Sequence, residues 1–171
     1  MDHLWTPWRM AYLRGESDKP DGCIFCHKIG ADDDAEFVVF RSEHVYVTLN
    51  RFPYNNGHLL IVPYAHIGEF TALPLETLTD LMRTTQEAIV ALRTVYNPAA
   101  FNVGLNLGAA AGAGVAEHLH LHIVPRWPGD ASYLSVIAGT RVIPDLLEDT
   151  YRSLRAAWPA RGVDSSGANA G

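Results

Sequence analysis

Three histidines alternate with apolar residues in the C-terminal half of the chain, in the run His118-Leu119-His120-Leu121-His122-Ile123-Val124. Successive side chains of a β-strand point to opposite faces, so we expect a strand over 118–124 with the three imidazoles on one face. The intervening apolar side chains then face a hydrophobic core. Packing alone gives little reason for so regular a row of polar rings, and the run predicts a chemical site on one face of a sheet.

Two chemistries suit three imidazoles in a row. In the first, one neutral ring attacks phosphorus and forms a phosphoramidate, and a neighbouring ring protonates the departing group. An imidazole with a pKa of about 6.5 is largely unprotonated at neutral pH. In the second, His118, His120 and His122 hold a catalytic zinc ion that keeps one coordination position open. The alternation alone does not decide between them.

The only two cysteines, Cys23 and Cys26, are separated by two residues. In a reducing compartment this spacing favours metal binding or redox chemistry over a structural disulfide. A thioredoxin-like pair opens a helix after a strand, whereas this pair precedes the first predicted strand. A tetrahedral zinc site needs two further ligands from elsewhere in the chain.

The predicted elements are strands on both sides of one long helix. Apolar and alternating runs predict strands over 37–40, 45–49, 59–62 and 101–105. Apolar residues at helical spacing, Leu75 and Met82 among them, predict a helix of about five turns that stops at Asn97-Pro98. A second helix is expected to begin near Pro144, with an apolar face formed by Leu147, Tyr151, Leu154 and Trp158. Strands adjacent in sequence indicate an α+β fold with a mainly antiparallel sheet.

The chain has 171 residues, enough for one domain with a substantial core. We divide it into an aromatic-rich N-terminal strap over 1–22, a domain over 23–160 and a tail over 161–171. The Gly, Ser, Ala and Asn composition of the tail predicts disorder. The acidic run 32–34 is expected to be a solvated loop.

Net charge and hydropathy exclude several classes of protein. The formal charge of −6 leaves no broad basic surface for a nucleic-acid backbone. No stretch approaches the roughly 18 apolar residues of a membrane span, and the N-terminal residues do not resemble a secretory signal. We therefore expect a cytoplasmic protein that binds neither nucleic acid nor membrane.

Taken together, the motifs of residues 23–127 resemble the histidine triad (HIT) family of nucleotide hydrolases and transferases. The resemblance rests on the triad followed by Pro125-Arg126, and on Cys23-Ile24-Phe25-Cys26, Leu49-Asn50-Arg51, 57–63 and 102–108. The stretches 101–108 and 116–127 are most similar to the actinobacterial diadenosine tetraphosphate phosphorylases of that family. The resemblance implies a HIT-like fold, a nucleotide substrate and a homodimer or tetramer.

The same resemblance implies roles for individual residues. His120, the middle histidine, would attack phosphorus and carry a covalent nucleotide, and His122 would contact the phosphates and the leaving group. Five further residues are implied or expected to bind substrate: His58 beside the triad, Asn50 at the ribose, Asn106 at the phosphate chain, and Gly112 and Gly114 in a loop where the backbone can approach phosphate closely.

A zinc site is also implied by the resemblance. Its ligands would be Cys23, Cys26, His66 just after the predicted third strand, and His118. Four protein ligands leave no open position, so such an ion would be structural. It would pin the N-terminal segment to the end of the triad strand.

Gly114 departs from the pattern of many family members, which carry Gln at this position to help bind the scissile phosphate. Glycine leaves room for inorganic phosphate as a co-substrate, which would give ADP and ATP, but it offers no side-chain donor. Phosphate and water therefore both stay open as acceptors. The alternatives are a HIT hydrolase or nucleoside phosphoramidase that uses water, and a nucleotide-binding module without turnover.

Overall fold

The computed structural model describes residues 22–130 and 145–160 of the chain. The predicted N-terminal strap, apart from Gly22, and the predicted tail over 161–171 lie outside these residues, as does Pro144. Within the described part, no helix is long and apolar enough to cross a membrane.

A five-stranded sheet forms the centre of the described structure. Its strands are β1 (Val38–Arg41), β2 (Val45–Leu49), β3 (Leu59–Pro63), β4 (Ala100–Leu105) and β5 (Leu121–Arg126), in the spatial order β1-β2-β3-β5-β4. Each neighbouring pair runs antiparallel. The predicted α+β fold with an antiparallel sheet is confirmed, and β5 lies between two other strands rather than at an edge.

Two longer helices cover one face of this sheet. The helices are α1 (Ile24–His27), α2 (Asp33–Glu36), α3 (Leu75–Tyr96) and α4 (Leu147–Ala156). The main core forms where Leu92 of α3 and Leu154 of α4 meet inward-facing strand residues such as Ile61. On the other face, Leu60 of β3 lies opposite His122 of β5 and belongs to a second apolar cluster with Phe25 of α1. The histidine face is therefore the one that the long helices leave uncovered.

Helix α3 is longer than predicted, and two residues of its expected apolar stripe do not face the core. It has 22 residues, about six turns at 3.6 residues per turn. Leu75 and Met82, expected in the apolar stripe, are 76% and 54% exposed, whereas Asp80 is buried. The Asp80 carboxylate accepts hydrogen bonds from Ser42 Oγ at 2.5 Å and from the N–H of His44 at 2.9 Å. This polar contact with the β1–β2 turn contributes to the orientation of the helix.

Regular pairing in β5 begins later than the expected strand start at His118. Leu121 pairs with Ile61 of β3, so Pro63 falls opposite the position of residue 119. Proline has no N–H to donate, and the carbonyl oxygen of Pro63 lies 2.8 Å from ring Nε2 of His118. The ladder therefore stops, and of the three histidines only His122 lies within β5.

The acidic run makes specific contacts, so the expected solvated loop is wrong. Asp32 caps α2 by accepting a backbone N–H of that helix at 2.9 Å. Asp33 pairs with Arg41 of β1 at 2.8 Å, and Asp34 accepts the hydroxyl of Tyr151 of α4 at 2.5 Å. These contacts join α2 to the sheet and to α4.

Candidate active site

The ring of His120 is held in one tautomer by the backbone. Its Nδ1 lies 2.9 Å from the carbonyl oxygen of His118, and because a carbonyl only accepts, the neutral ring carries its proton on Nδ1. The lone pair then stands at Nε2. The ring packs against Phe25, with centroids 4.8 Å apart, and the residue is only 7% exposed. Burial lowers the pKa of His120, which favours the neutral form.

His122 is held in the opposite tautomer through His58. The backbone N–H of Tyr54 donates to Nδ1 of His58 over 3.0 Å, and the amide nitrogen of Asn50 lies 3.3 Å from the same atom. Because a backbone N–H only donates, the proton of neutral His58 is on Nε2. That group lies 2.9 Å from Nδ1 of His122. Nδ1 of His122 is therefore the acceptor, and its ring proton is on Nε2.

The two triad rings thus present complementary groups, with centroids 5.0 Å apart. Nε2 of His120 offers a lone pair, and Nε2 of His122 offers a proton. A displacement at phosphorus requires a nucleophile, and an acid beside it assists the departure of the leaving oxygen. Four of the predicted site residues, with His58 and Asn50 added to this pair, therefore lie in one connected set.

A cavity of about 340 Å³ opens beside His122, within the usual size range of small-molecule sites. Asn106, predicted to contact phosphates, also lines it. Arg126 and Asp130 meet in its wall in a two-pronged ion pair of 2.6 and 2.8 Å. Their charges offset one another, so the wall of the cavity carries little net charge where they meet.

The glycine-rich loop after β4 stands apart from these contacts. Gly108 and Gly112 adopt positive φ angles of 81° and 91° on either side of a 3₁₀ turn, a backbone conformation that favours glycine. Gly112 and Gly114 are exposed, and neither lines the cavity. Their contact with phosphate stays a prediction.

The four predicted metal ligands, Cys23, Cys26, His66 and His118, converge, with their ligand atoms all within 4.8 Å of one another. Nδ1 of His118 lies 3.3 Å from the sulfur of Cys23 and 3.6 Å from that of Cys26, and Nδ1 of His66 lies 3.2 Å from the Cys26 sulfur. Zinc bonds of about 2.3 Å to sulfur and about 2.0–2.1 Å to nitrogen place tetrahedral ligands about 3.3–3.8 Å apart. The four side chains can therefore hold a tetrahedral zinc ion.

The chemistry of the cluster also suits a metal. Nε2 of His118 donates to the Pro63 carbonyl, which leaves Nδ1 as the ligand atom. Burial, together with the hydrogen bond and charge of Cys23, raises the pKa of the Cys26 thiol. A bound cation offsets the repulsion between two thiolates at such short range.

A zinc ion held by all three triad histidines is not supported by this geometry. Nδ1 of His118 faces the cysteines, and Nδ1 of His120 faces a carbonyl oxygen. Across residues 22–130 and 145–160, the Cys23 cluster is the one group of three or more such side chains that could hold an ion. His120 and His122 therefore stand outside the metal site.

Comparison with known proteins identifies the family of the chain. A sequence profile of the HIT domain matches residues 32–129. The chain belongs to the HIT family. It is 44% identical over 165 residues to the AP-4-A phosphorylase of Mycobacterium tuberculosis, and the match covers 92% of this chain and 85% of that protein.

Solved HIT structures share the fold. A zinc-bound histidine triad family protein from Mycobacterium smegmatis matches with a TM-score of 0.65 and 31% identity, over 80% of this chain and 92% of that one. A HIT family member from Bacillus subtilis matches with a TM-score of 0.59 and 28% identity, over 74% and 83%. The predicted family, the HIT-like fold and the assignment as a HIT-family enzyme are confirmed.

The sequence does not single out three residues on which the HIT site depends. Phe25 supports the ring of His120, and Tyr54 contributes a backbone N–H, a group that every residue except proline possesses. A Cβ atom on Gly68 would lie 2.6 Å from the carbonyl oxygen of Ala116. Gly68 therefore allows the segment after β3 to approach the segment before β5, and no spacing rule reveals this contact.

We expect Gly68→Ala to weaken zinc binding by about 10-fold or more, the usual effect of disturbing the support of a metal ligand. The added Cβ clashes with the backbone at 116–117 and displaces His66 from His118. Competition titration against a chromogenic chelator measures the affinity. Gly30→Ala is the matched control, since nothing lies within 4 Å of its Cβ position. Equal zinc affinities in the two variants would contradict this account.

Proposed function

We propose that the protein cleaves dinucleoside polyphosphates, with diadenosine tetraphosphate as its substrate, through a covalent nucleotide on His120. The observation that carries this proposal is the complementary pair of tautomers. A lone pair stands on Nε2 of His120 and a proton on Nε2 of His122, in rings 5.0 Å apart. The similarity to an AP-4-A phosphorylase over 92% of the chain supports the choice of substrate.

In the first step, Nε2 of His120 forms a bond to the phosphorus atom next to one adenosine. The bond from that phosphorus to the bridging oxygen breaks, and its electron pair stays on the oxygen. The Nε2–H of His122 donates a hydrogen bond to this oxygen and stabilises the negative charge that develops there, so ATP departs and AMP stays on His120. The nucleotidylated ring is positively charged, and its Nδ1–H bond to the His118 carbonyl becomes a stronger, charge-assisted hydrogen bond.

In the second step, an oxygen of inorganic phosphate attacks the same phosphorus atom. The bond between nitrogen and phosphorus breaks, its electron pair returns to His120, and any proton of the attacking phosphate stays on the terminal phosphate of the ADP that forms. ADP is released and both rings regain their starting tautomers. Water as the acceptor would follow the same course and release AMP.

Neighbouring residues would hold the substrate around His120. Asn50, which lies beside His58, would bind the ribose hydroxyls, and Asn106 in the cavity wall would bind the phosphate chain. Gly112 and Gly114 would offer backbone N–H groups to phosphate. The contact of Asn50 with His58 and the place of Asn106 in the cavity beside His122 support these roles, which follow from the family resemblance.

Cys23, Cys26, His66 and His118 would hold zinc in a structural role. The ion would supply a rigid anchor for the His118 backbone and no open coordination position for substrate. The His118 carbonyl that orients His120 would then be held from two sides, by the cluster and by the Pro63 contact of the same side chain.

We also infer a homodimer, or a tetramer, in the cytoplasm. Strand β4 is one of the two outer strands of the described sheet, and apolar Val103 and Leu107 on and beyond it are 43% and 50% exposed. An outer strand with exposed apolar side chains favours pairing with another chain. Light scattering of the full chain over a range of concentrations tests the assembly, and a monomer throughout that range would contradict it.

We expect His120→Ala to lower kcat for diadenosine tetraphosphate by on the order of 10³-fold or more, because the nucleophile is gone. Imidazole added to His120→Gly should restore part of the turnover by taking the place of the missing ring. Intact-protein mass spectrometry of acid-quenched wild type should show an adduct of one AMP. His44→Ala is the control, since its half-buried ring lies outside this set of contacts. Undiminished turnover in His120→Ala would refute the mechanism.

The acceptor is tested by product analysis with and without inorganic phosphate. We expect ADP and ATP in equal amounts when phosphate is present, because the family resemblance puts Gly114, which has no side chain, at the scissile phosphate and so would leave room there for a second phosphate group. Chromatography of the products reads this directly. AMP and ATP under both conditions would identify water as the acceptor, and nucleotide binding without product would identify a module without turnover.

A further inference from the structure

The loop between β2 and β3 is fastened to the far end of β5. The amide nitrogen of Asn55 donates to the carboxylate of Asp130 at 2.9 Å and to the Pro125 carbonyl at 3.1 Å. Asp130 also receives Nε and a terminal nitrogen of Arg126 at 2.6 and 2.8 Å, and the N–H of Trp127 at 3.1 Å. The Arg126 hydrogen bonds hold the pKa of Asp130 well below its usual range, so a carboxylate is present to accept these bonds at any physiological pH. We call the Asn55–Asp130 hydrogen bond the loop latch.

The loop latch adjoins the group that sets the tautomers of the active site. Tyr54, the residue before Asn55, donates its N–H to Nδ1 of His58, and the N–H of His58 donates back to the Asn55 carbonyl at 3.2 Å. The Tyr54 ring also lies nearly parallel to that of His122, at 6° and a centroid distance of 5.9 Å. A displacement of Asn55 therefore moves both the donor and the aromatic surface that hold the histidine pair.

Loss of the Tyr54 donor would leave only the longer, 3.3 Å contact of the Asn50 amide nitrogen to keep the proton of His58 on Nε2, and would favour the other arrangement of protons. Nδ1 of His58 would then carry the proton, and Nε2 of His58 would accept from Nδ1 of His122. The lone pair of His122 would stand at Nε2, where the proposed reaction needs a proton. The two states differ only in which nitrogen of each ring is protonated, so the strength of hydrogen-bond donation to Nδ1 of His58 decides between them.

We propose that Asn55 and Asp130 are positioning residues that keep the proton of His122 on Nε2 by holding the Tyr54 N–H against His58. The effect on turnover rests on the proposed role of His122 as the acid, whereas the effect on the tautomer does not. Asp130 lies just beyond the end of β5 and influences the His122 tautomer indirectly, through its hydrogen bond to Asn55 and the contact of Tyr54 with His58.

The first test reads the ring protons directly. Long-range ¹H–¹⁵N spectra of the full-length protein distinguish Nδ1–H from Nε2–H tautomers, and we expect His58 and His122 of the wild type to carry the proton on Nε2. Asn55→Ala and Asp130→Asn should each shift both rings toward the Nδ1–H form. Asp149→Asn is the matched control, because Asp149 also pairs with an arginine, Arg152 at 2.6 Å, but on the exposed face of α4.

The second test compares leaving groups. A phenyl ester of AMP needs a proton on its departing oxygen, whereas a p-nitrophenyl ester departs readily without one. We expect the two latch variants to lower kcat for the phenyl ester about 10-fold or more relative to the p-nitrophenyl ester, within the range that general acid catalysis contributes.

The outcomes separate the loop latch from the proposed function. Unchanged ring tautomers in both latch variants, or equal losses for the two esters, would overturn the proposal and leave the loop with a purely structural role. A tautomer shift in a protein that cleaves neither ester would uphold the positioning role and refute the proposed reaction.

Discussion

The hydrogen bond from Nδ1 of His120 to the carbonyl oxygen of His118 is the contact on which the site depends. It sets the tautomer of one histidine by means of the backbone of another. The side chain of that second histidine belongs to the metal cluster and to the end of β3. The four-residue Cys and His cluster, the end of β3 and the ring of His120 therefore meet in one residue, and each constrains the others through it.

Much of this arrangement could be predicted from the sequence, because alternation, cysteine spacing and short motifs reflect periodic or local geometry. The antiparallel sheet, the long helix and the four metal ligands follow from such patterns and from family resemblance, and their placement agrees with them. The later start of β5 could not be predicted in this way. The alternation at 118–120 is that of a strand, but Pro63 at the end of β3 has no N–H with which to continue the pairing. The residue that ends the pairing, Pro63, lies 55 residues before His118, so the local sequence pattern gives no sign of it.

The features that could not be predicted depend on groups that residue type does not identify. The contact from Tyr54 is made by its backbone N–H. Gly68 matters because it has no side chain at the point where two segments cross. Asp80 occupies a buried helical position that an apolar residue would ordinarily fill, since its partners lie on a turn distant in sequence. These cases share one physical cause: a tertiary contact, rather than the local sequence pattern, determines which residue the position requires.

The metal cluster has a consequence for the unfolded chain as well as for the site. It joins three segments, with Cys26 separated from His66 by 40 residues and from His118 by 92. A metal ion held by these four ligands would close two large loops, as a disulfide does, but reversibly and without an oxidant. Since such an ion binds the folded chain more tightly than the unfolded one, the free energy of unfolding would rise with the logarithm of the free metal concentration. The supply of metal in the surroundings would then set the stability of the fold.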